Sequence, residues 1–198
     1  MKTLLSPLML CAAVLCLSVA CSTVSHVHVR SDYEQVDRNQ TFRLSVITSP
    51  VPAGDDAVGK MWSLIAGRYA NHHRDFIVKE ARTGAALPED LCREGIEGVL
   101  HLQPTVVDEG SGWSLEVQAR LFRCTDRETV WSATAGGSWP SEDPQLIEMT
   151  RAYTGELGPG VEPHVAPAFR LLRALLDTLP RPRLSEDDDV MEKIEVSL

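Results

Sequence analysis

The fold of this chain is decided by residues 96–139, which read IEGVLHLQPTVVDEGSGWSLEVQARLFRCTDRETVWSATAGGSW. Two long runs of strand-forming residues, 96–105 and 113–124, flank the turn-rich sequence Asp-Glu-Gly-Ser-Gly at 108–112. Such a turn between two strand-like runs is typical of a β-hairpin. A third run, 128–139, follows a short turn, so the stretch predicts a three-stranded antiparallel meander.

Upstream of the meander, strands alternate with helices. Residues 41–48 alternate and are rich in β-branched side chains, which predicts a strand. Residues 55–71 place apolar side chains at helical spacing, 75–80 form a second short apolar run, and 88–93 indicate a brief helix. A strand–helix–strand connection normally returns the chain in the parallel direction. We therefore expect a mixed sheet, parallel in its first part.

Downstream of the meander, the pattern becomes helical. Residues 142–155 predict one helix, with Ser141 as a candidate N-cap, and residues 163–179 predict another with an apolar stripe. The element order β-α-β-α-β-β-β-α-α indicates an α/β (α+β) fold with helices mainly on one face of a mixed sheet. We expect one domain at 41–180, followed by a charged, mobile tail at 181–198.

The N-terminus has the pattern of a bacterial lipoprotein. Lys2 precedes an apolar run that ends in Ser-Val-Ala at 18–20, directly before Cys21. Residues 1–20 therefore predict a signal peptide, and Cys21 is the predicted lipidation site. Two alternatives stay open. The run could be a membrane anchor, although its 17 residues are short against the roughly 20 needed. It could also be cleaved without lipidation.

The segment at 21–40 is polar and predicts a tether between the lipid and the domain. An edge strand is the alternative, because valines and histidines alternate at positions 24–29. Ser22, rather than Asp, follows Cys21, which favours the outer membrane by similarity to enteric lipoprotein sorting. We expect an outer-membrane lipoprotein facing the periplasm, with a secreted or periplasmic protein as the alternative.

The charge of the chain excludes some partners. It has 28 acidic and 19 basic residues, and the predicted signal peptide contains one of the basic ones, Lys2. Nucleic-acid binding normally requires a clustered basic face, so we expect no nucleic acid. The acidic balance also disfavours electrostatic membrane binding, so attachment must come from the lipid, at about 0.8 kcal/mol per buried CH₂.

The five cysteines are accounted for by this interpretation. Cys11 and Cys16 leave with the signal peptide and Cys21 takes the lipid. Cys92 and Cys124 remain in an oxidising compartment, which predicts a disulfide between them. Free buried thiols and a redox or metal pair are the alternatives, although the spacing is not that of C-x-x-C.

One polar cluster is a candidate site. His72, His73, Arg74 and Asp75 follow the first predicted helix. Adjacent imidazoles on a helix point about 100° apart, so they do not readily share one metal ion. Cationic side chains are also stabilised at a helix C-terminus without any function. The sequence carries no convincing metal or cofactor motif, and we expect neither.

The tryptophans are a second candidate. Trp113, Trp131 and Trp139 lie on the predicted strands of the meander. Aromatic side chains on neighbouring strands can form a partner-binding surface. Packing of a half-buried sheet is the alternative, because large aromatics are also common in cores.

Several stretches resemble a known group of proteins. These are WSLIAGRYANHHRDF at 62–76, Leu-Cys at 91–92, GIEGVLHLQP at 95–104, and the short motifs around Arg123, Val130 and Gly137. They are similar to a family of bacterial lipoproteins from myxobacterial-type genomes, over about residues 41–179. The resemblance implies an envelope lipoprotein and no particular activity. The element order is also similar to the α/β domains of the curli-secretion lipoprotein and of the N-terminal part of the Tol-system propeller protein, by fold analogy alone.

No serine-hydrolase or dinucleotide-binding motif occurs in its required context. We therefore expect a lipid-anchored envelope component that binds an envelope protein or copies of itself, and not an enzyme. The alternative is a periplasmic enzyme or small-ligand binder with a cleft near His72, His73, Arg74 and Asp75.

Overall fold

The computed structural model describes residues 23–51, 56–85 and 88–184. The predicted signal peptide, the lipidation site Cys21 and residues 185–198 of the predicted tail lie outside these ranges. Six strands and three helices make up the domain. The strands are β1 (Thr23–Val29), β2 (Arg43–Thr48), β3 (Ile77–Thr83), β4 (Gly98–Asp108), β5 (Gly112–Arg123) and β6 (Thr129–Pro140). The helices are α1 (Asp56–His73), α2 (Ile147–Leu157) and α3 (Glu162–Leu176).

The six strands form one mixed sheet in the order β1-β6-β5-β4-β2-β3. Strand β2 pairs in parallel with both β3 and β4, as the strand–helix–strand pattern predicts. Strands β4, β5 and β6 form the predicted antiparallel meander, and β1 is antiparallel to β6. The α/β fold class and the mixed sheet expected from the sequence are confirmed.

The three helices share one face of the sheet. Helix α1 packs on β2 and β3, α3 packs on β5 and β6, and α1 and α3 contact each other. Because strand side chains alternate, every second residue points into this layer. The core therefore includes Leu44 and Val46 from β2, and Val117 and Leu121 from β5, under large side chains such as Trp62 of α1. At about 25 cal/mol per Å² of buried apolar surface, this layer is the main source of stability.

The predicted tether at 21–40 needs correction. Residues 23–29 are an edge strand of the sheet, the alternative that the alternating valines allowed. The following residues pack on the domain, since the Tyr33 and Asp37 side chains are buried. The reason is that Tyr33 and Asp37 find partners distant in sequence, the carbonyl of Pro180 and the guanidinium of Arg123. The domain thus includes most of the segment expected to be a linker.

The helix expected at 142–155 also differs. A 3-10 turn at Pro144–Leu146 precedes α2, and the Asp143 carboxylate, rather than Ser141, accepts from the backbone N–H of Gln145 at 2.9 Å. Proline after Asp143 suits a first turn because that position needs no backbone donor. The brief helix expected at 88–93 is a 3-10 turn at Pro88–Leu91.

The start of the predicted tail is docked on the domain. The N–H of Arg183 donates to the carbonyl of Arg38 at 2.6 Å, Pro182 is buried, and Leu184 packs on the core. The domain boundary therefore lies beyond residue 180, and the rest of the predicted tail is outside the described residues.

Candidate functional site: the open face of the sheet

The face of the sheet opposite the helices is the most extensive polar surface that the strands build. Each residue that alternates with the core residues of β4, β5 and β6 points to this side. In register across the strands are Thr105 with Glu116, Gln103 with Gln118, and Gln118 with Thr134. We call this surface, made of Gln103, Thr105, Ser114, Glu116, Gln118, Arg120, Ser132 and Thr134, the open face.

Exposure along the open face is uneven. Glu116, Gln118, Arg120 and Thr105 are exposed, and the side chains of β6 are half-buried. The Arg120 guanidinium donates to the Gln103 amide oxygen at 3.0 Å, which joins neighbouring strands β4 and β5. A two-layer domain with one solvated sheet face is common in antiparallel sheets, so the polar pattern by itself fits either solvent or a partner.

One end of the same side of the sheet is covered. A second, smaller core packs Leu91 and Ile96 on Ile47 and Val99. The disulfide between Cys92 and Cys124, with Cα atoms 5.4 Å apart, lies beside this core and ties the covering loop to the end of β5. The sequence-based prediction of this pairing agrees with the structure.

Glu80 joins the covered end to the edge of the sheet. Its carboxylate accepts from the Ser45 hydroxyl at 2.8 Å and from the Arg93 guanidinium at 2.6 Å, and it also pairs with Arg82. The Glu80 side chain is largely buried while both arginines are exposed. The arrangement holds the covering loop against β2 and β3, and it was not foreseen because its members lie far apart in sequence.

Ser49 and His101 form a hydrogen-bonded pair on this side of the sheet. The Ser49 Oγ and His101 Nε2 atoms are 2.9 Å apart. Burial, with a smaller contribution from the positive charge of Arg120, lowers the pKa of His101 below its ordinary 6.5. The imidazole is therefore neutral at pH 7, and it shares one hydrogen bond with the Ser49 hydroxyl. The pair links the end of β2 to β4, as does the backbone bond from the Ser49 N–H to the Leu102 carbonyl at 2.9 Å.

A buried ion pair lies at the same end of β5 as the disulfide, because Arg123 directly precedes Cys124. Arg123 reaches Asp37 and Asp126, and Asp126 also accepts from Arg30 at 3.1 Å. Hydrogen bonding to Asp126 raises the pKa of Arg123, and the Arg123 guanidinium in turn holds the pKa of Asp126 well below its usual range. This network fastens the segment after β1 to the β5–β6 turn.

The four residues of the predicted polar site at 72–75 make different contacts. His72 and His73 are exposed, and His73 stacks on Tyr69 with ring centroids 4.7 Å apart. Arg74 donates to the Leu179 carbonyl, and Asp75 lies 3.6 Å from Arg181. Burial lowers the pKa of Arg74.

These contacts fasten the C-terminal segment to the end of α1. Tyr69 contributes as well, because its hydroxyl donates to Asp177 at 2.6 Å, and burial followed by this bond raises the pKa of Tyr69 to about 12. The four predicted residues therefore do not converge on one cleft. Arg74 and Asp75 lie beside the oppositely charged Asp177 and Arg181 of the C-terminal segment.

The proposed tryptophan surface is wrong for this domain. Trp131 is fully buried and Trp139 is nearly so, and both belong to the helix-side core. Trp113 is partly buried and stacks on His164 of α3 at 4.2 Å. All three point to the helix layer because the register pairs Trp113 with Trp139 and Leu121 with Trp131. Packing, the alternative reading, accounts for them.

The described residues also form surface cavities. One is a groove of about 720 Å³ between α2, α3 and the end of β6, lined by Ser141, Glu142, Asp143, Pro144, Ile147, Thr150, Arg151, Thr154, Gly155, Pro159, Glu162 and Pro163. Another, of about 730 Å³, is lined by Asn39, Gln40, Phe42, Arg43, Glu97, Thr125, Arg183 and Leu184. Neither includes His72 or the open face.

Among residues 23–51, 56–85 and 88–184, no three His, Cys, Asp or Glu side chains come together as a metal site. Within the same ranges, no helix has the length and apolar character needed to cross a bilayer.

The domain is thus a two-layer α/β unit with a mixed sheet that is open on one side. No family model matches the chain, and no curated protein matches it. Among solved structures, the PelC dodecamer from Paraburkholderia phytofirmans is similar in fold, with a TM-score of 0.51 and 15% identity over 82% of this chain and 100% of that chain. The lipoprotein GNA1162 from Neisseria meningitidis gives a TM-score of 0.39 and 17% identity, over 58% and 95% of the two chains.

Proposed function

We propose that this chain is a lipid-anchored component of the bacterial cell envelope, facing the periplasm from the outer membrane, that acts by binding protein rather than by catalysis. The partner is an envelope protein or further copies of the same chain. The observation that carries the proposal is the open face, a broad sheet surface with long exposed polar side chains on β5 and the exposed Thr105 beside them on β4.

The lipid anchor is supported by the sequence at its N-terminus. A basic residue, an apolar run and a small residue before Cys21 are what signal-peptide processing requires. The anchor confines the domain to a membrane surface, which raises its effective concentration for partners on the same surface. A protein so placed can form assemblies through contacts that would be weak in free solution.

Self-association is supported by the fold and by the chemistry of the open face. The similar PelC structure is a dodecamer, so a domain of this shape is compatible with assembly into a homo-oligomer. Glu116 and Arg120 give the open face both signs of charge, which suits a polar, reversible interface. Copies of this chain are the partner we expect first.

The test compares the full, lipidated protein with surface variants. Membranes are solubilised in mild detergent after cross-linking in cells, and the size and protein content of the particle are measured by light scattering and mass spectrometry. Gln118→Arg changes an exposed residue of the open face, and Ala152→Arg is the control on the exposed side of α2.

We expect a discrete oligomer or complex that Gln118→Arg dissociates and Ala152→Arg leaves intact. A monomer in the unaltered protein, or equal behaviour of the two variants, would overturn the proposal that the open face binds protein.

A further inference from the structure

The position of β1 relative to Cys21 restricts how the domain meets the membrane. Strand β1 begins at Thr23, so only Ser22 separates the predicted lipidated residue from the sheet. An extended chain covers at most about 3.6 Å per residue, which puts the Cα of Cys21 within about 7 Å of that of Thr23. No long spacer lies between the lipid and the folded domain.

The register of β1 gives the direction in which the chain approaches. Thr23 pairs with Gly136 and Val24 with Ala135, in antiparallel fashion. The chain therefore enters β1 at the C-terminal end of β6, which is the end with the β4–β5 hairpin. We call this the hairpin end, formed by residues 107–113 and 138–140.

The hairpin end projects past the start of β1. Gly136 pairs with Glu116, and Gly112 pairs with Pro140, so the hairpin extends four residues beyond the level of Thr23. At about 3.4 Å per residue, this is about 14 Å. The connection to Cys21 is shorter than this projection, so a domain whose strands stand upright on the bilayer brings its hairpin end to the headgroups.

We propose that the anchored domain stands on the membrane with the hairpin end against the lipid headgroups and the disulfide end directed away. The inference rests on the proposed lipid anchor and adds the surface that contacts the membrane. The partner of this surface is the headgroup layer of the bilayer. Twelve residues of β5, at about 3.4 Å each, place the turn after Arg123 about 40 Å from the hairpin end.

The side chains of the hairpin end suit contact with the lipid headgroups and not insertion into the hydrocarbon core. Val107 is an apolar residue that is 55% exposed, whereas Asp108 and Glu109 beside it are charged and exposed. Carboxylates are costly to place in hydrocarbon, so the tip lies at headgroup level. The acyl chains, and not the tip, supply the membrane affinity.

The test measures energy transfer from a single labelled cysteine to fluorescent lipids. The lipidated, disulfide-bonded protein is reconstituted into vesicles of phosphatidylethanolamine and phosphatidylglycerol. Glu109→Cys labels the hairpin end and Glu128→Cys labels the opposite end, both at exposed positions. We expect strong transfer from position 109 and at least several-fold weaker transfer from position 128.

A flexible insertion supplies the matched control. Twelve Gly and Ser residues placed between Ser22 and Thr23 keep the anchor but remove the limit that the short connection sets on orientation. The difference in energy transfer between positions 109 and 128 should then fall. Vesicle flotation reports on the anchor separately. Protein that does not float contradicts the lipid anchor itself. Protein that floats with equal transfer from positions 109 and 128 overturns the upright orientation alone.

Discussion

Arg123 Nη1 donates to Asp37 Oδ1 over 2.8 Å, between a fully buried carboxylate and a guanidinium that is 6% exposed. The two residues are 86 positions apart, so the bond closes the segment after β1 onto the end of β5. The Thr41 hydroxyl donates to the same carboxylate oxygen at 3.1 Å. A buried charge is tolerated here because its partner is within contact distance.

Removing the guanidinium should therefore destabilise the domain strongly. Arg123→Met leaves the Asp37 carboxylate buried without its cation, and we expect a loss of about 3–5 kcal/mol in the free energy of unfolding. Urea unfolding followed by tryptophan fluorescence measures it. Glu34→Gln is the control, since it breaks the exposed pair with Arg38 and should cost less than about 1 kcal/mol. Equal losses would contradict a special role for the buried pair.

The disulfide should contribute on a similar scale. Cys92 and Cys124 are 32 positions apart, and closing a loop of that length corresponds to about 3–4 kcal/mol in the chain-entropy model. We expect the variant with both Cys92→Ala and Cys124→Ala to lose that much free energy of unfolding. It should therefore unfold at a lower urea concentration. Reduction of the unaltered protein should reproduce the shift. A reductant that has no effect would show that the bond is absent in solution.

Much of the sheet could be predicted from the sequence because its strands alternate regularly. The meander strands lie within three residues of their predicted bounds, since core residues such as Val117 and Leu121 recur at every second position. Strand β1 is different. Its register shifts between Ser25 and His28, and His26 has a φ of 51°, so the alternation that identifies a strand is interrupted.

A pH dependence follows from His101. Burial and Arg120 lower the pKa of His101 in the folded protein, whereas the unfolded chain takes up the proton near pH 6.5. The neutral form of His101 therefore contributes fully to stability above about pH 6.5, and this contribution is lost as the pH falls below it. The full loss in the free energy of unfolding is about 1.4 kcal/mol for each unit by which the folded pKa lies below the unfolded pKa. Unfolding at pH 5 and pH 7 measures the loss.

His101→Gln should reduce this dependence, and His72→Gln, at an exposed position, should leave it unchanged. The imidazole proton signals in NMR give a direct check. If the signal of His101 titrates at 6.5 or above in the folded protein, the predicted direction is wrong.

Two helical glycines should respond oppositely to alanine. A Cβ on Gly59 of α1 would lie 2.5 Å from Thr83 Oγ1, whereas a Cβ on Gly155 of α2 would meet nothing within 4 Å. We expect Gly59→Ala to lower the melting temperature because the helix must move from β3. Gly155→Ala should stabilise by about 0.5–1 kcal/mol through the unfolded chain. Thermal unfolding followed by circular dichroism tests both, and stabilisation by Gly59→Ala would contradict this packing.

The candidate site was less accessible from sequence than the fold. The open face consists of polar residues that look like ordinary solvated positions one at a time, and only the register of Gln103, Gln118 and Thr134 brings them into one surface. The cluster at His72–Asp75 could be identified from the sequence because its members are adjacent. Its partners, Asp177, Leu179 and Arg181, lie about 100 residues later and gave no local signal.

The docking of the C-terminal segment beside Arg38 and Arg74 has a mechanical consequence. This segment lies at the end of the sheet opposite to the start of β1, so a pull applied between Thr23 and this segment acts along the strands. The β1–β6 hydrogen bonds would then be loaded together, in shear, and not broken one after another from an end. A domain pulled in this direction resists unfolding more strongly than one whose edge strand is peeled away.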